Sequence, residues 1–411
     1  MSEARGYSRW NGEPSYAAAG TPIIWEPQLD ADSAQWRAKA RRLSLDHFSD
    51  LAPVIDREQR FPYENVALLR QAGISTMFLP KAYGGAGASL TSLSAVIEEI
   101  AAHCASTSGI IATLQLGAHP LLVGGSDAQR QEHLTALVRD DVYISFALSE
   151  PSAGSDPANM ATTATREGSG WRLRGTKCWI GNGGIARKYL LFAQTRPGSG
   201  RAGIAAYMVH ADAPGVQVHA KEDKMGMRGT ATTVIDFDTL VDDAALIAAP
   251  GAALRLALET LNVGRITVAA QSVGIGLGAY REMTAFAASR QTFGQAILSH
   301  QGLGFQIADT AMQLSAARMM VYEAARQFDA GQDIANLGAM TKLFATEVAH
   351  QAVDLGVQVF GGRGYVRPTP VERFYRDQRA TEIYEGTSEI QRLVLMRAIQ
   401  SAAAAALGDD K

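Results

Sequence analysis

Apolar side chains in the first third of the chain recur at spacings of three and four. In SAQWRAKARRLSLDHFSDLAPVI and YENVALLRQAGI this periodicity predicts amphipathic helices, with Gly73 as the C-cap of the second. FLPKAYGGAGASL breaks the pattern with glycines, and LTSLSAVIEEIAAHCASTSGIIATLQL resumes it with small residues that suit closely packed helices. Near Asp141 the period changes. VYISFAL, GWRLRGTKCWI, KYLLFAQT, GIAAYMV, VQVHA and TTVIDF are short runs rich in β-branched and aromatic residues, separated by Gly, Pro, Asn and Asp. They predict an all-β block from about Val142 to Leu240, a small barrel or sandwich. From Ala252 helical periodicity returns in three long segments, the pattern of a helical bundle. The predicted organisation is α+β: an arm over 1–32, a helical domain over 33–141, a β-domain over 142–250 and a helical bundle over 251–411.

Composition narrows the class. At 411 residues, with 47% hydrophobic and 19% charged residues, the chain exceeds one hydrophobic core and is globular in character. A formal net charge of -3 argues against a nucleic-acid or anionic-membrane binder. Cys104 and Cys178 form no CxxC, so a disulfide scaffold is not expected and a reducing compartment fits. No apolar run reaches the roughly 18 residues of a membrane span, and the first thirty residues lack a signal-peptide core. The expectation is a cytoplasmic protein, not inserted in a membrane, with a loosely attached N-terminal arm.

Several chemistries lose ground on motif grounds. There is no HExxH pair, so no metal site is expected, and there is no GxSxG elbow or GxxxxGK[ST] loop. No GxGxxG opens a helix after a strand, and the alternation of a nicotinamide-binding domain is missing.

Five stretches remain. ALSEPSAGSD (147–156) offers small residues whose backbone N–H groups can approach a polar ligand, or forms an ordinary turn. In KCWIGNGG, Trp179 either packs on a flat ring or belongs to the core. In SRQTFGQAILSHQ, Arg290 either holds a pyrophosphate or faces solvent. In QVFGGRGYV, paired Gly361 and Gly362 mark a helix end or a close backbone approach. In IYEGTSEIQR, Ser388 and Gln391 match a capping box, which places Glu385 in the preceding loop, solvated or directed into a cavity.

In order and identity, FLPKAYGGAG, ALSEPSAGSD, CWIGNGG, KMGMRGT, LNVGRI, SRQTFGQ, QVFGGRGY and IYEGTSEIQR resemble the acyl-CoA dehydrogenase family, from about Trp36 to Ser401. The resemblance implies an N-terminal helical domain, a middle β-domain, a C-terminal four-helix bundle and FAD. It implies that Phe146, Leu148, Ser149, Gly154 and Ser155, with Trp179, Ile180 and Gly181, surround the flavin. Arg290, Thr292, Phe293, Gln301, Gln358, Val359 and Gly362 would reach the adenosine and pyrophosphate end from a neighbouring subunit of a homotetramer, a dimer of dimers. Thr387 and Glu389 would touch FAD from the chain's own bundle. Ser155, Asn262, Arg265, Tyr384 and Gly386 would meet the acyl-CoA.

Glu385 then resembles the family's catalytic base, removing the α-proton of the thioester while the β-hydride passes to flavin N5. In the family, the enolate oxygen is held by this residue's backbone N–H and by a flavin ribityl hydroxyl. The substrate implied is a short-to-medium acyl-CoA, with an electron-transferring flavoprotein or O2 as electron acceptor; the alternative is an acyl-CoA oxidase or flavin monooxygenase-like paralogue of specialised metabolism, or an enzyme acting on a carrier-protein-bound acyl group.

Departures from the family pattern carry their own expectations. Some relatives carry the base at the position of Gly264; here only Glu385 serves. Thr107 stands where glutaryl-type relatives carry an arginine, which argues against a dicarboxylic substrate. Gly181 replaces the usual threonine of WITN, a form shared with some short-chain acyl-CoA oxidases. The expected result is open space beside the flavin and faster reaction with oxygen. Asn262 and VDDAAL also depart, at positions near the CoA.

Overall fold

A computed structural model describes residues 16, 19–140 and 142–408 of the chain. Helix α1 (Ala31–Leu43) runs through a π-helical turn (Ser44–Phe48) into α2 (Ser49–Glu58), and α3 (Tyr63–Gln71) follows. The Asp30 carboxylate caps α1 by accepting from Ser33 N at 2.7 Å, so the helix opens earlier than its apolar pattern. The stretch predicted as one helical run is two, α4 (Leu90–Ala101) and α5 (Ala105–Gly124), because Cys104 is extended at φ -145 and breaks the ladder. Helix α6 (Asp127–Arg139) starts from a capping box between Ser126 and Gln129.

The expectation of a loose arm is corrected where the arm is described. Trp25 N donates to Ser315 Oγ (3.0 Å), Arg318 Nη1 to Trp25 O (2.7 Å) and Tyr280 Oη to Pro22 O (2.9 Å). These bonds strap residues 22–25 to the bundle. The part of the arm before Tyr16 lies outside the described residues.

The β-block holds β1 (Ile144–Ala147), β2 (Thr163–Glu167), β3 (Gly170–Gly181), β4 (Lys188–Gln194), β5 (Ile204–His210), β6 (Val216–Val218), β7 (Thr232–Asp242) and β8 (Leu246–Ala248). They join in one sheet, ordered β6-β7-β3-β2-β4-β5-β8, with β1 parallel to β4. Strand β4 is buried at every position. Its Leu190 and Phe192 pack with Leu121 of α5 and Leu134 of α6, while Leu191 and Ala193 pack with Leu173 and Phe237 of the β3–β7 side. Apolar residues on both faces explain why this run does not alternate.

The last third contains α7 (Ala253–Ser289), a hairpin of β9 (Gln291–Thr292) and β10 (Gln295–Ala296), α8 (Gln301–Asp329), α9 (Ala335–Phe360), α10 (Pro370–Arg379) and α11 (Ser388–Gly408). Helix α7 is buried along most of its length, with α4, α5, α8 and α9 packed around it. At Gly274 a Cβ would overlap the Glu98 carbonyl, so the small residues of α7 do admit α4 at close range. Among the described residues no helix is long and apolar enough to cross a membrane, and no group of three metal-ligating side chains is found.

Candidate active site

The loop between α10 and α11 determines where Glu385 points. After a 3-10 turn (Ala380–Glu382), Glu385 and Gly386 both take left-handed backbone, φ 53 and φ 91. Glutamate in that region is strained, and such strain persists only where surrounding contacts impose it. Three contacts do so. Lys342 Nζ of α9 donates to Gly386 O at 2.6 Å, Gln391 Nε2 donates to the same oxygen at 2.8 Å, and Thr387 Oγ1 accepts from Ile390 N at 3.3 Å. The predicted capping box is thereby corrected: Thr387, not Ser388, caps α11, and Gln391 turns back to the Gly386 carbonyl.

This geometry lays the Glu385 carboxylate against α7. A Cβ on Gly264 would overlap Glu385 Oε2, so Gly264 must lack a side chain for the carboxylate to lie there. That oxygen is buried and has no hydrogen-bond partner among the described residues. Burial pushes the Glu385 carboxyl up to about 7, against the pull of the Lys342 and Arg265 charges. Arg265 is 5% exposed and donates to Asn262 Oδ1 at 2.8 Å. The Tyr384 hydroxyl bonds Gln271 Oε1, while Gln271 Nε2 donates to Ala105 O (3.0 Å) and Ser108 Oγ (2.9 Å) of α5.

A second group of predicted residues lies at the end of β3. The β3–β7 register shifts between Lys177 and Ile180, and Trp179 takes φ 59 and is 65% exposed. Trp179 is therefore not a core residue. Ile180 is buried, and Gly181 is anchored by Ser145 Oγ, which donates to its carbonyl at 2.8 Å. The space expected to open at Gly181 is filled from α5: a Cβ there would lie 3.1 Å from Thr113 Cγ2.

The 147–156 turn is braced from below. Buried Glu150 accepts from Ala161 N (2.6 Å), Thr162 N (3.0 Å) and Lys177 Nζ (2.7 Å), and Lys177 also donates to Leu148 O at 3.0 Å. Phe146 and Leu148 bury their side chains, Ser149 O accepts from Cys178 N at 3.0 Å, and Gly154 and Ser155 are exposed.

A third group lines a different cleft, of about 540 Å³, which brings together Arg290, Thr292, Val359 and Gly362 beside the stacked Phe286 and Phe360 rings. Phe293, at the tip of the β9–β10 hairpin, is 97% exposed, and Gln301 and Gln358 are exposed outside the cleft's lining. None of the residues around Glu385 belongs to this lining. Glu389 is exposed, and Thr387 is occupied as the cap.

Comparison with known proteins decides the family. The N-terminal, middle and C-terminal domains of acyl-CoA dehydrogenase match residues 30–141, 145–240 and 252–400 respectively. The chain belongs to the acyl-CoA dehydrogenase family. It is 40% identical over 383 residues to the probable acyl-CoA dehydrogenase FadE25 of Mycobacterium tuberculosis, covering 93% of this chain and 98% of the relative. It is 39% identical over 363 residues to the rat mitochondrial short-chain specific acyl-CoA dehydrogenase, covering 87% and 88% of the two chains. The butyryl-CoA dehydrogenase of Megasphaera elsdenii superposes with a TM-score of 0.89 at 32% identity, over 92% of this chain and all of the other.

As an acyl-CoA dehydrogenase, the protein is an oxidoreductase whose cofactor is FAD. Its residues suit that group. Trp179 and Phe293 offer exposed aromatic faces, no heavy atom obstructs a Cβ at Gly154, Gly361 or Gly362, and the Arg290 cleft joins a cation to apolar walls. Sequence motifs named the loop residues but missed Lys342, Gln271 and Thr113. Each lies on a long helix, and its only signal was a polar side chain within an apolar stretch.

Proposed function

We propose that this enzyme desaturates a short acyl-CoA thioester between its α and β carbons, with Glu385 taking the α-proton. The observation that carries this reading is the Glu385 carboxylate, held in strained left-handed backbone against Gly264 with one buried oxygen lacking a partner. An α-proton of a thioester is weakly acidic. A carboxylate raised to about 7 is a stronger base than a solvated one and is still ionised to a useful extent near neutrality. Bound FAD supplies the acceptor for the β-hydride, and the product is the trans-2-enoyl thioester. The Glu385 backbone N–H serves the carbonyl oxygen as enolate charge develops.

Likeness to the short-chain specific and butyryl-CoA dehydrogenases supports a short acyl chain, and Gln271 is placed to exclude a long one. It lies seven residues beyond Gly264 on α7, about 10 Å along the axis, and is tied to Tyr384 and Ser108. A polar closure at that depth disfavours a long apolar chain, because inserting one would strand the amide. Arg265, Asn262 and Ser155 hold the CoA end in this reading.

The Arg290 cleft completes the FAD site of a second copy. Exposed Phe305, Met312 and Met319 fall every seven residues along α8, an apolar stripe that supports assembly into a homotetramer. Two free, buried cysteines fit the cytoplasm. An electron-transferring flavoprotein takes the electrons.

Gly181 supports a second reading in which O2 is the acceptor. Position 181 has no hydroxyl to offer, and the Thr113 hydroxyl beside it already donates to Gly109 O at 2.9 Å. Steady hydrogen peroxide formation at the rate of acyl-CoA turnover decides for it. Turnover that depends on an electron-transferring flavoprotein or a dye decides against it.

A further inference from the structure

Lys342 is a buried cation whose nitrogen bonds a peptide carbonyl, and the reaction as described so far does not use it. Its side chain is fully buried, and its nitrogen donates to Gly386 O at 2.6 Å. Taking an ammonium out of water is costly, and a neutral carbonyl returns less of that cost than a carboxylate bond does. The charged groups that face it are Glu385 of the loop, Arg265 of α7 and Glu389 of α11. Burial draws the Lys342 ammonium down to about 8, opposed chiefly by Glu385. Glu385 in turn faces Lys342 and Arg265, with Tyr384 beside it.

The bonded oxygen belongs to the residue after Glu385. Gly386 O also accepts from Gln391 Nε2 at 2.8 Å, so α9 and α11 grip one carbonyl between them. Fixing that carbonyl fixes the two consecutive left-handed residues, and with them the direction of the Glu385 side chain.

We infer that Lys342 is a positioning residue that clamps the Gly386 carbonyl and, by its charge, keeps the Glu385 carboxylate available as a base near neutral pH. This rests on the reading of Glu385 as the base. The charge works through space: a cation near a buried carboxylate favours the ionised form, so its loss leaves burial less opposed and raises the carboxyl further. Arg265 also faces the carboxylate and remains, so the effect is partial.

The test is the pH dependence of flavin reduction by butyryl-CoA in rapid mixing, on FAD-loaded wild type, Lys342→Met, Lys342→Arg and Glu385→Gln. The acid limb is expected to move up by about one pH unit in Lys342→Met. At pH 7 this leaves roughly a fifth of the wild-type rate from ionisation alone, recovered at higher pH, given tenfold per pH unit below the pKa. Lys342→Arg should keep the wild-type limb even if its plateau falls. Lys342→Gln replaces Lys342→Met if the latter does not fold. Infrared difference titration against Glu385→Gln in each background reads the same carboxyl without turnover and should show the same displacement. A rate lowered equally at every pH, with limb and carboxyl unmoved, overturns the inference and leaves Lys342 a structural residue. If instead Glu385→Gln reduces its flavin at the wild-type rate, the base assignment itself fails.

Discussion

Glu385 is strained and half-buried, with one buried carboxylate oxygen that lacks a partner, which is a destabilising arrangement for a carboxylate and a useful one for a base. Its carboxyl titrates at about 7 when folded, above the ordinary 4.5. A raised carboxyl holds its proton more tightly in the folded state, so folding carries no penalty from it below about pH 4.5 and the full penalty above about pH 7. Glu385→Gln should therefore raise the melting temperature at pH 8 and leave it unchanged at pH 4, as read by thermal unfolding at both pH values. An equal gain at both would show that the carboxyl is not raised. Gly181 gives a second prediction. Because Thr113 occupies the adjacent space at 3.1 Å, Gly181→Thr should destabilise the protein by about 1–3 kcal/mol in denaturant unfolding, and Thr113→Ala should restore most of the loss. Of these side chains, the motifs singled out Glu385 and Gly181. Thr113, Gln271 and Lys342 reach the site from α5, α7 and α9, and only the packing of those helices turns them inward.

At the scale of elements, long helical periodicity predicts the observed helices, while short or polar runs carry no signal of their own. The long runs of α7, α8 and α9 stand where the three- and four-residue spacing placed them. The strands β2 and β8 and the β9–β10 hairpin escaped notice because they are short or polar, and pairing with a neighbour, not their own pattern, makes them strands. The division at Cys104 is likewise invisible in a run of small residues that suits helix throughout. One of the three bonds of the strap at 22–25 comes from a buried pair. Arg318, 1% exposed, makes three bonds to the Glu98 carboxylate, the shortest 2.8 Å, and holds the Trp25 carbonyl. Removing one member strands the other's charge, so Arg318→Met should cost about 3–5 kcal/mol by chemical denaturation. A loss under about 1 kcal/mol would mean that the pair does not anchor the strap.

For the whole molecule, the order helices, strands, helices was legible, and the motif series identified the family. The separation of the residues expected to meet FAD into two places follows from the family resemblance and not from local pattern, because residues such as Gly181 and Gly362 come from similar glycine-rich stretches yet lie in different places. If a second copy supplies the Arg290 cleft, assembly and FAD retention are linked. Phe305→Asp with Met312→Asp should yield smaller species by light scattering, with FAD lost on gel filtration. Monomers that keep FAD would break that link.

The central claim is that Glu385 removes the α-proton of a short acyl-CoA. It is tested most directly by adding butyryl-CoA to the purified FAD-loaded protein without oxygen and following flavin absorbance. The wild type should bleach rapidly, and faster with butyryl-CoA than with octanoyl-CoA. Glu385→Gln should retain FAD but bleach about a hundredfold to ten-thousandfold more slowly, the loss expected when a positioned base is removed. Bleaching of Glu385→Gln at the wild-type rate would contradict the account.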